Sequence, residues 1–375
     1  MSSLGIPDAA LARARRVADD ISRRMADLGG AVSVDADEIL TGRAGLLGLA
    51  PAGRISAGGA TRLLATRDGW CALTLSRVDD VECVPALLET SEPPPDPWTA
   101  LAGAAAERDA AEFVARARLL DLPAAVLGEI SSAPTRFAPS GISARRRMTE
   151  LLVVDLSSMW AGPLCGHLLA AAGATVVKVE SPARPDGTRR GDPRFFDWMN
   201  AAKLSYATDF GADGSLRRLL EAADVVIEGS RPAALTRRGL GADQVSGRPG
   251  RVWLRVTGYG TEGERADWVA FGDDAAVAGG LVAPGPVFAG DAIADPLSGL
   301  EATRAVLESL RRGGGEVVEV VLAEVAADYA GVPLTVDQES EAPPRIPALP
   351  RVPAAALGAD NQRVREIVET RLAPC

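Results

Sequence analysis

The stretch Leu151–Arg190, LLVVDLSSMWAGPLCGHLLAAAGATVVKVESPARPDGTRR, leaves a chain like this few folds to choose from. It opens on an almost unbroken apolar run, Leu151–Leu156, which predicts a strand buried on both faces of a parallel sheet. A turn through Ser157, Met159 and Trp160 leads to a helix opening near Ala161-Gly162-Pro163. Pro163 suits a first helical turn, and Gly173 ends the helix before a second strand, Thr175–Val179. Strand, helix and strand in this order make a βαβ unit, which predicts a ligand beyond the carboxyl end of its first strand.

The chain beyond this unit keeps alternating. Strands are predicted at Ser205–Thr208, Val225–Glu228, Val252–Val256 and Val317–Leu322, with helices at Pro163–Ala172, Gly214–Ala222, Pro232–Arg237 and Ser298–Arg311. A Pro-rich tail, Glu341–Pro353, precedes a last helix, Asn361–Leu372. Upstream, Pro7–Leu28 has helical apolar spacing, Ala36–Leu49 follows it as a second helix, and Asp68-Gly69 between two apolar runs predicts a hairpin over Arg62–Ser76. Helices at Asp80–Leu88 and Leu101–Leu119 flank the Pro-rich Ser91–Trp98, and Leu122–Ile130 reads as a short strand or loop. The Ser-, Pro- and Arg-rich segment Ser131–Arg147 has no apolar period and reads as a linker. The expectation is therefore an α/β protein. A small α+β domain over 1–130 and a linker over 131–147 precede a large domain over 148–375 with a mainly parallel, Rossmann-like sheet.

Composition narrows the function. At 375 residues, 47% of them hydrophobic, the chain can bury a large core. A net charge of −10 argues against a nucleic-acid partner, whose phosphates need a basic surface. No apolar run approaches the roughly 20 residues that span a bilayer, and the polar start lacks a signal-peptide apolar region, so a cytoplasmic location is expected. Cys71, Cys83, Cys165 and Cys375 lack metal-binding spacing and read as reduced structural thiols, with no metal expected. His167, the one histidine, falls mid-helix in CGHLLAA and reads as a core residue, which disfavours histidine catalysis.

Five segments, in order, resemble the family III CoA-transferases, the group that also holds carnitine and formyl-CoA transferases and alpha-methylacyl-CoA racemases. They are Val153–Pro182, Met199–Phe210, Ala223–Gly241, Val256–Leu281 and Ile293–Glu324. Gly53–Ser76 and Ala106–Glu129 are similar to the family's small domain, which normally follows the strand matched by Val317–Leu322. Here it precedes the large domain, so the resemblance implies a circular permutation, a rearrangement tolerated where termini and linkers lie on the surface.

The resemblance implies coenzyme A, carried as an acyl-CoA substrate, and a carboxylic acid acceptor. The family's nucleophilic aspartate matches Asp295 in IADPLSGLEA. A carboxylate suits the chemistry, because attack on a thioester and its reversal need no metal or histidine, and a helix start near Pro296 would supply N–H groups for negative charge. Taken alone, the segment favours a helix N-cap at Asp295. Matched CoA-contacting positions are Met159 and Trp160, Lys203 and Ser205, Arg231 and Arg237, and Gly258 and Tyr259 within Thr257–Gly260. Two departures stand out: Gly229-Ser230 replaces the family's Asn-Phe pair, and Ala202-Lys203-Leu204 lacks its arginine. Gly58 and Gly59 are the nearest counterpart of the glycine-rich loop that shields the aspartyl intermediate, and they equally suit a turn leading into the hairpin. The racemases' Gly-His-Asp motif reads Gly272-Asp273-Asp274 here, which disfavours racemase activity and leaves two acids read as solvated loop residues. Three functions remain distinct: CoA transfer through a covalent aspartyl intermediate, non-catalytic acyl-CoA binding, and acyl-CoA isomerisation by Asp273 and Asp274. A homodimer is implied by the resemblance.

Overall fold

A computed structural model describes residues 4–211, 214–231, 233–331 and 344–373. Cys375, Pro232 and the first part of the Pro-rich tail, 341–343, lie outside the described residues. The chain begins with two helices, α1 (Asp8–Asp27) and α2 (Ala36–Leu47). A hairpin follows, β1 (Thr61–Ala65) and β2 (Trp70–Thr74), then four short helices, α3 (Val78–Glu82), α4 (Val84–Leu88), α5 (Pro97–Ala106) and α6 (Ala110–Leu119), and β3 (Ala124–Val126). The single helix expected over Leu101–Leu119 is broken between α5 and α6. The hairpin turn holds the break: Arg67 N–H donates to Arg108 O at 2.9 Å, and Asp68 accepts from Ala110 N–H at 2.8 Å. Inside the expected linker, β4 (Arg136–Pro139) pairs antiparallel with a strand far downstream.

The larger sheet then builds up through β5 (Leu152–Asp155), α7 (Ala161–Ala171), β6 (Thr175–Glu180), α8 (Pro193–Asn200), β7 (Leu204–Ala207), α9 (Ser215–Ala222), β8 (Val225–Glu228), α10 (Ala233–Thr236) and β9 (Val252–Thr257). After α11 (Gly272–Ala278) and a two-residue hairpin, β10 (Val282–Ala283) and β11 (Val287–Phe288), the long α12 (Ala294–Arg312) leads to β12 (Glu316–Val321), α13 (Leu322–Ala330) and α14 (Asn361–Leu372). Sheet order is β4-β12-β9-β8-β5-β6-β7, parallel throughout except for β4 at the edge. From β5 the chain first adds strands on one side, β6 and β7, then on the other, β8, β9 and β12. That is the doubly wound order, and its switch point lies between β5 and β8.

Three layers result. One face of the sheet is covered by α7, α8 and α12 with α1 and α2 outside them, the other by α9 and α14. Residues of α1 and α2 thus share a core with the large sheet, while β1–β3 and α4–α6 form a separate core. Gly299 on α12 lets that helix lie close against α7: a Cβ there would stand 2.6 Å from Leu164 Cδ2 and 2.9 Å from Ala161 O. The close crossing sets the first turn of α12 against the turn that follows β5. No helix among the described residues is long and apolar enough to cross a membrane.

Candidate active site

At the switch point, the turn after β5 rests on a buried ionic network. Asp155 Oδ2 accepts from Lys203 Nζ at 2.8 Å, and Asp155 Oδ1 accepts from the Ser157 N–H at 3.0 Å and from the Ser157 hydroxyl. Burial disfavours the Asp155 charge, but Lys203 and Lys178 outweigh it and hold the carboxyl below its ordinary range. Lys178 Nζ donates to Ser157 O at 2.6 Å and to Asp186 at 2.7 Å. Both oxygens of Asp186 lie 3.3 Å from the Met159 N–H. Met159 sits at φ 73°, a left-handed conformation few non-glycine residues adopt, and these bonds hold it there. Gly229, after β8, closes the crevice from the other side; a Cβ would stand 3.0 Å from Ser157 Cβ, which accounts for the absence of a larger residue at this position.

Beside this turn, four carboxylates converge. Asp295 lies in the first turn of α12 rather than ahead of it, with its N–H on Ala292 O at 2.9 Å. Asp273 and Asp274 open α11 and are not solvated loop acids: Asp274 is fully buried and Asp273 only partly exposed. Buried Asp291 comes from the loop before α12. One cation enters the group, Arg43 from α2, whose Nη1 is 2.5 Å from Asp291 Oδ1. Its guanidinium also lies 5.7 Å from the Trp160 ring centre and 5.5 Å from that of Phe195. The hairpin contributes hydroxyls. Thr74 Oγ1 donates to Asp274 at 3.1 Å, Thr61 Oγ1 stands 3.4 Å from Asp273, and the two hydroxyls are 2.9 Å apart.

All four carboxyls bind their protons more tightly than ordinary acids. Burial, then the charge of Asp273, pushes Asp295 up to about 7, against the pull of Arg43 and a hydrogen bond from the Gly272 N–H. Burial and Asp291 push Asp273 up to about 6, and burial alone is the main cause that takes Asp274 to about 8. Asp291 is raised by burial and opposed by Arg43. The backbone here is tight. Ala292 has φ 44° while donating its N–H to Asp273 at 3.0 Å, and a Cβ on Gly272 would stand 2.3 Å from Ala292 O and 2.6 Å from Asp295 Oδ2. A carboxylate that titrates near neutrality, at a helix start and beside a ligand crevice, suits nucleophilic or acid–base chemistry.

Residues 148–355 match the family described as CoA-transferase family III, more than half of the chain. The chain belongs to CoA-transferase family III. Within the family it is similar to a succinyl-CoA–D-citramalate CoA-transferase of Chloroflexus aurantiacus, 32% identical over 200 residues, covering 48% of this chain and 50% of that one. It is also similar to a succinate–glutarate CoA-transferase of Agrobacterium fabrum, 30% identical over 207 residues, covering 48% and 51%. Among solved structures, a CAIB/BAIF family protein from Brucella suis matches with a TM-score of 0.44 and 28% identity, over 48% of this chain and 54% of that one. The chain spans about half the length of the curated relatives it matches.

The positions singled out by resemblance to the family fall into two groups. Trp160, Asp295 and Gly58 lie around Arg43, with Met159 next to Trp160 in the turn; a Cβ on Gly58 would be 3.9 Å from Arg43 Nη2, and Gly59, at φ 77°, completes the turn by donating to Ser56 O at 2.9 Å. Trp160 is buried, and its Nε1 has no hydrogen-bond partner among the described residues. The second group lies elsewhere. Lys203 is enclosed under α7, with its ammonium on Asp155 and on Pro163 O at 2.8 Å, and a Cβ on Gly166 would be 3.1 Å from it. Ser205 takes hydrogen bonds from Gly358 and Arg189. Arg231 pairs with Asp121 of the small-sheet region at 3.3 Å, and Arg237 is exposed. Gly258 lets Ala270 pass, since a Cβ there would be 2.6 Å from Ala270 Cβ; Tyr259 is buried against Trp268 with ring centres 5.2 Å apart. Sequence reasoning missed Arg43, Thr61, Thr74 and Asp291. Asp291 stands four residues before Asp295, just ahead of the family-like segment that begins at Ile293.

Proposed function

We propose that this chain transfers CoA between an acyl-CoA and a carboxylic acid, with Asp295 as the covalent nucleophile. The observation that carries this is Asp295 itself, raised to about 7 and set beside the switch-point turn in a family III chain. Ionised Asp295 attacks the thioester carbonyl, the C–S bond breaks, and the CoA thiolate leaves behind a mixed anhydride. The thiolate returns to the Asp295 carbonyl, releasing the donor acid and leaving an aspartyl-CoA thioester. The acceptor carboxylate then attacks this thioester, and the same steps run in reverse, restoring the Asp295 carboxylate. Trp160 and the Met159 turn form one wall for the CoA, and Arg231 and Arg237 offer charge to its phosphates. Lys203 and Ser205, as placed, support that wall from beneath. The Gly58-Gly59 turn, beside Arg43, covers the intermediate and limits hydrolysis.

In the decisive experiment, the protein is incubated with a panel of acyl-CoAs and read by intact-mass spectrometry. A CoA adduct on the wild type that is absent from Asp295→Ala is expected; transfer retained in Asp295→Ala would overturn the assignment.

One observation favours a second activity, proton exchange at the carbon alpha to the thioester. Asp274 is raised to about 8 and its Oδ2 has no hydrogen-bond partner among the described residues. Deuterium uptake from D2O into an acyl-CoA that disappears in Asp274→Asn would support it. The chain order, with the three-stranded sheet first, supports a circular permutation, and a homodimer is the assembly we expect by light scattering.

A further inference from the structure

Arg43 lies outside the family-matched residues and no resemblance assigns it a role. Yet its positive charge favours the ionised form of Asp295; Asp273 and Asp291 oppose it there, and the charge of Asp273 acts on Asp274 within the same group. One terminal nitrogen is held by Asp291 at 2.5 Å, and the rings of Trp160 and Phe195, edge to face with centres 5.3 Å apart, flank the guanidinium on its apolar side. Its side chain is 24% exposed, so the charge is neither fully screened by water nor sealed away.

We propose that Arg43 is the positioning residue that keeps Asp295 in its ionised, attacking form within this group of carboxylates. The inference rests on Asp295 being the nucleophile. The groups facing Asp295 are Arg43 from α2, Asp273 and the Gly272 N–H from α11, and Asp291 from the preceding loop, with Asp274 behind Asp273. Without Arg43 the remaining neighbours are acids, and two carboxylates sharing a low-dielectric site raise each other's affinity for protons. Asp291 then holds one end of the guanidinium so that its charge reaches Asp295 without forming a closed pair that would block attack. Lysine at 43 keeps the charge but not the planar fork, so it restores part of the effect.

Two readouts separate this role from a structural one. In protein carrying 13Cγ-aspartate, the Asp295 resonance is assigned by its loss in Asp295→Asn, and its titration midpoint is compared in wild type, Arg43→Lys and Arg43→Met. The expected result is a midpoint at least about one pH unit higher in Arg43→Met and a smaller rise in Arg43→Lys. In parallel, single-turnover formation of the CoA adduct at pH 7 should fall about fivefold in Arg43→Met and recover as the pH is raised. If Arg43→Met fails to fold because Asp291 is left buried and unpaired, Arg43→Met/Asp291→Asn is compared with Asp291→Asn, and the midpoint should again be higher in the double variant. An unchanged midpoint in a folded Arg43→Met protein overturns the inference, as does an adduct rate lowered equally at every pH. If the midpoint moves while the wild type forms no adduct with any acyl-CoA, Arg43's hold on Asp295 stands and the transfer reading falls.

Discussion

A buried carboxyl raised towards neutrality should make the folded chain less stable, and Asp295→Asn measures by how much. The Asp295 carboxyl has an ordinary value of 3.8 and is pushed up to about 7 in the folded chain. A tenfold change in acidity corresponds to about 1.4 kcal/mol, so the upper limit on the cost of ionising it in place is about 4 kcal/mol. Asp295 is partly exposed and titrates together with Asp273 and Asp274, which relieves part of that cost; about 2 kcal/mol is the expected residue. The direction follows from proton counting. Between pH 4 and pH 7 the folded chain keeps a proton on Asp295 that the unfolded chain has lost, so stability falls as the pH rises through this window and is level above it. Asp295→Asn removes the ionisation and keeps the shape. Its advantage over wild type should therefore be small at pH 4.5, grow towards pH 7, and stay constant at pH 8 and above. Paired urea melts followed by circular dichroism, at pH 4.5, 6 and 8, read this as a growing difference in midpoint at constant slope. An Asn variant that is no more stable than wild type at pH 8, or whose advantage does not depend on pH, would refute the assignment of burial as the main cause.

Two further changes test the supports of the site. Lys203→Met leaves Asp155 buried without its main partner and should destabilise the chain by about 3–5 kcal/mol, a loss measurable by the same melts; adding Asp155→Asn should recover much of it, and the gap should narrow at acid pH as Asp155 takes up a proton. Gly272→Ala puts a methyl 2.6 Å from Asp295 Oδ2 and 2.3 Å from Ala292 O, so it should displace the Asp295 carboxylate and, on the proposed mechanism, lower adduct formation on the order of 100-fold for about 1–3 kcal/mol of stability. An Ala variant with unchanged adduct kinetics would show that the carboxylate tolerates displacement.

Elements whose formation depends on local pattern were legible. The apolar runs gave β5 and β8 nearly to the residue, and α14 falls on the expected Asn361–Leu372. Elements created by tertiary pairing were not. β4 sits in a segment without apolar period because its partner is β12; its register runs from Glu316–Pro139 to Glu319–Arg136, where the two side chains also form an ion pair at 2.6 Å. β12 runs into α13 with no intervening loop, at Val321 and Leu322, so a continuous apolar stretch hides the change from strand to helix. α11 was missed because Gly272 and two acids open it, a composition that reads as loop until Phe271 N–H is seen donating to Asp274 at 3.0 Å as a cap. The same contrast holds at the site. Asp295 was readable through resemblance, whereas Arg43 occupies a helix position that any solvated arginine could fill, and only folding brings it to the acids.

The site joins the family-matched part of the chain to the part that precedes it. Asp273, Asp274, Asp291 and Asp295 come from the family-matched region, while the groups that answer them, Arg43, Thr61 and Thr74, precede it. Thr74 donates to Asp274, so this hydroxyl lowers the cost of the Asp274 charge, and Thr61 links the same hydroxyl to Asp273. The proton affinity of the acids therefore depends on where the hairpin lies. A hairpin that moved away would remove the hydroxyls and leave Asp274 with the Phe271 N–H as its remaining protein donor among the described residues. The small sheet and the proton affinity of the carboxylates are thus linked through two threonine hydroxyls, sited where β1 and β2 pair at Thr61 and Thr74.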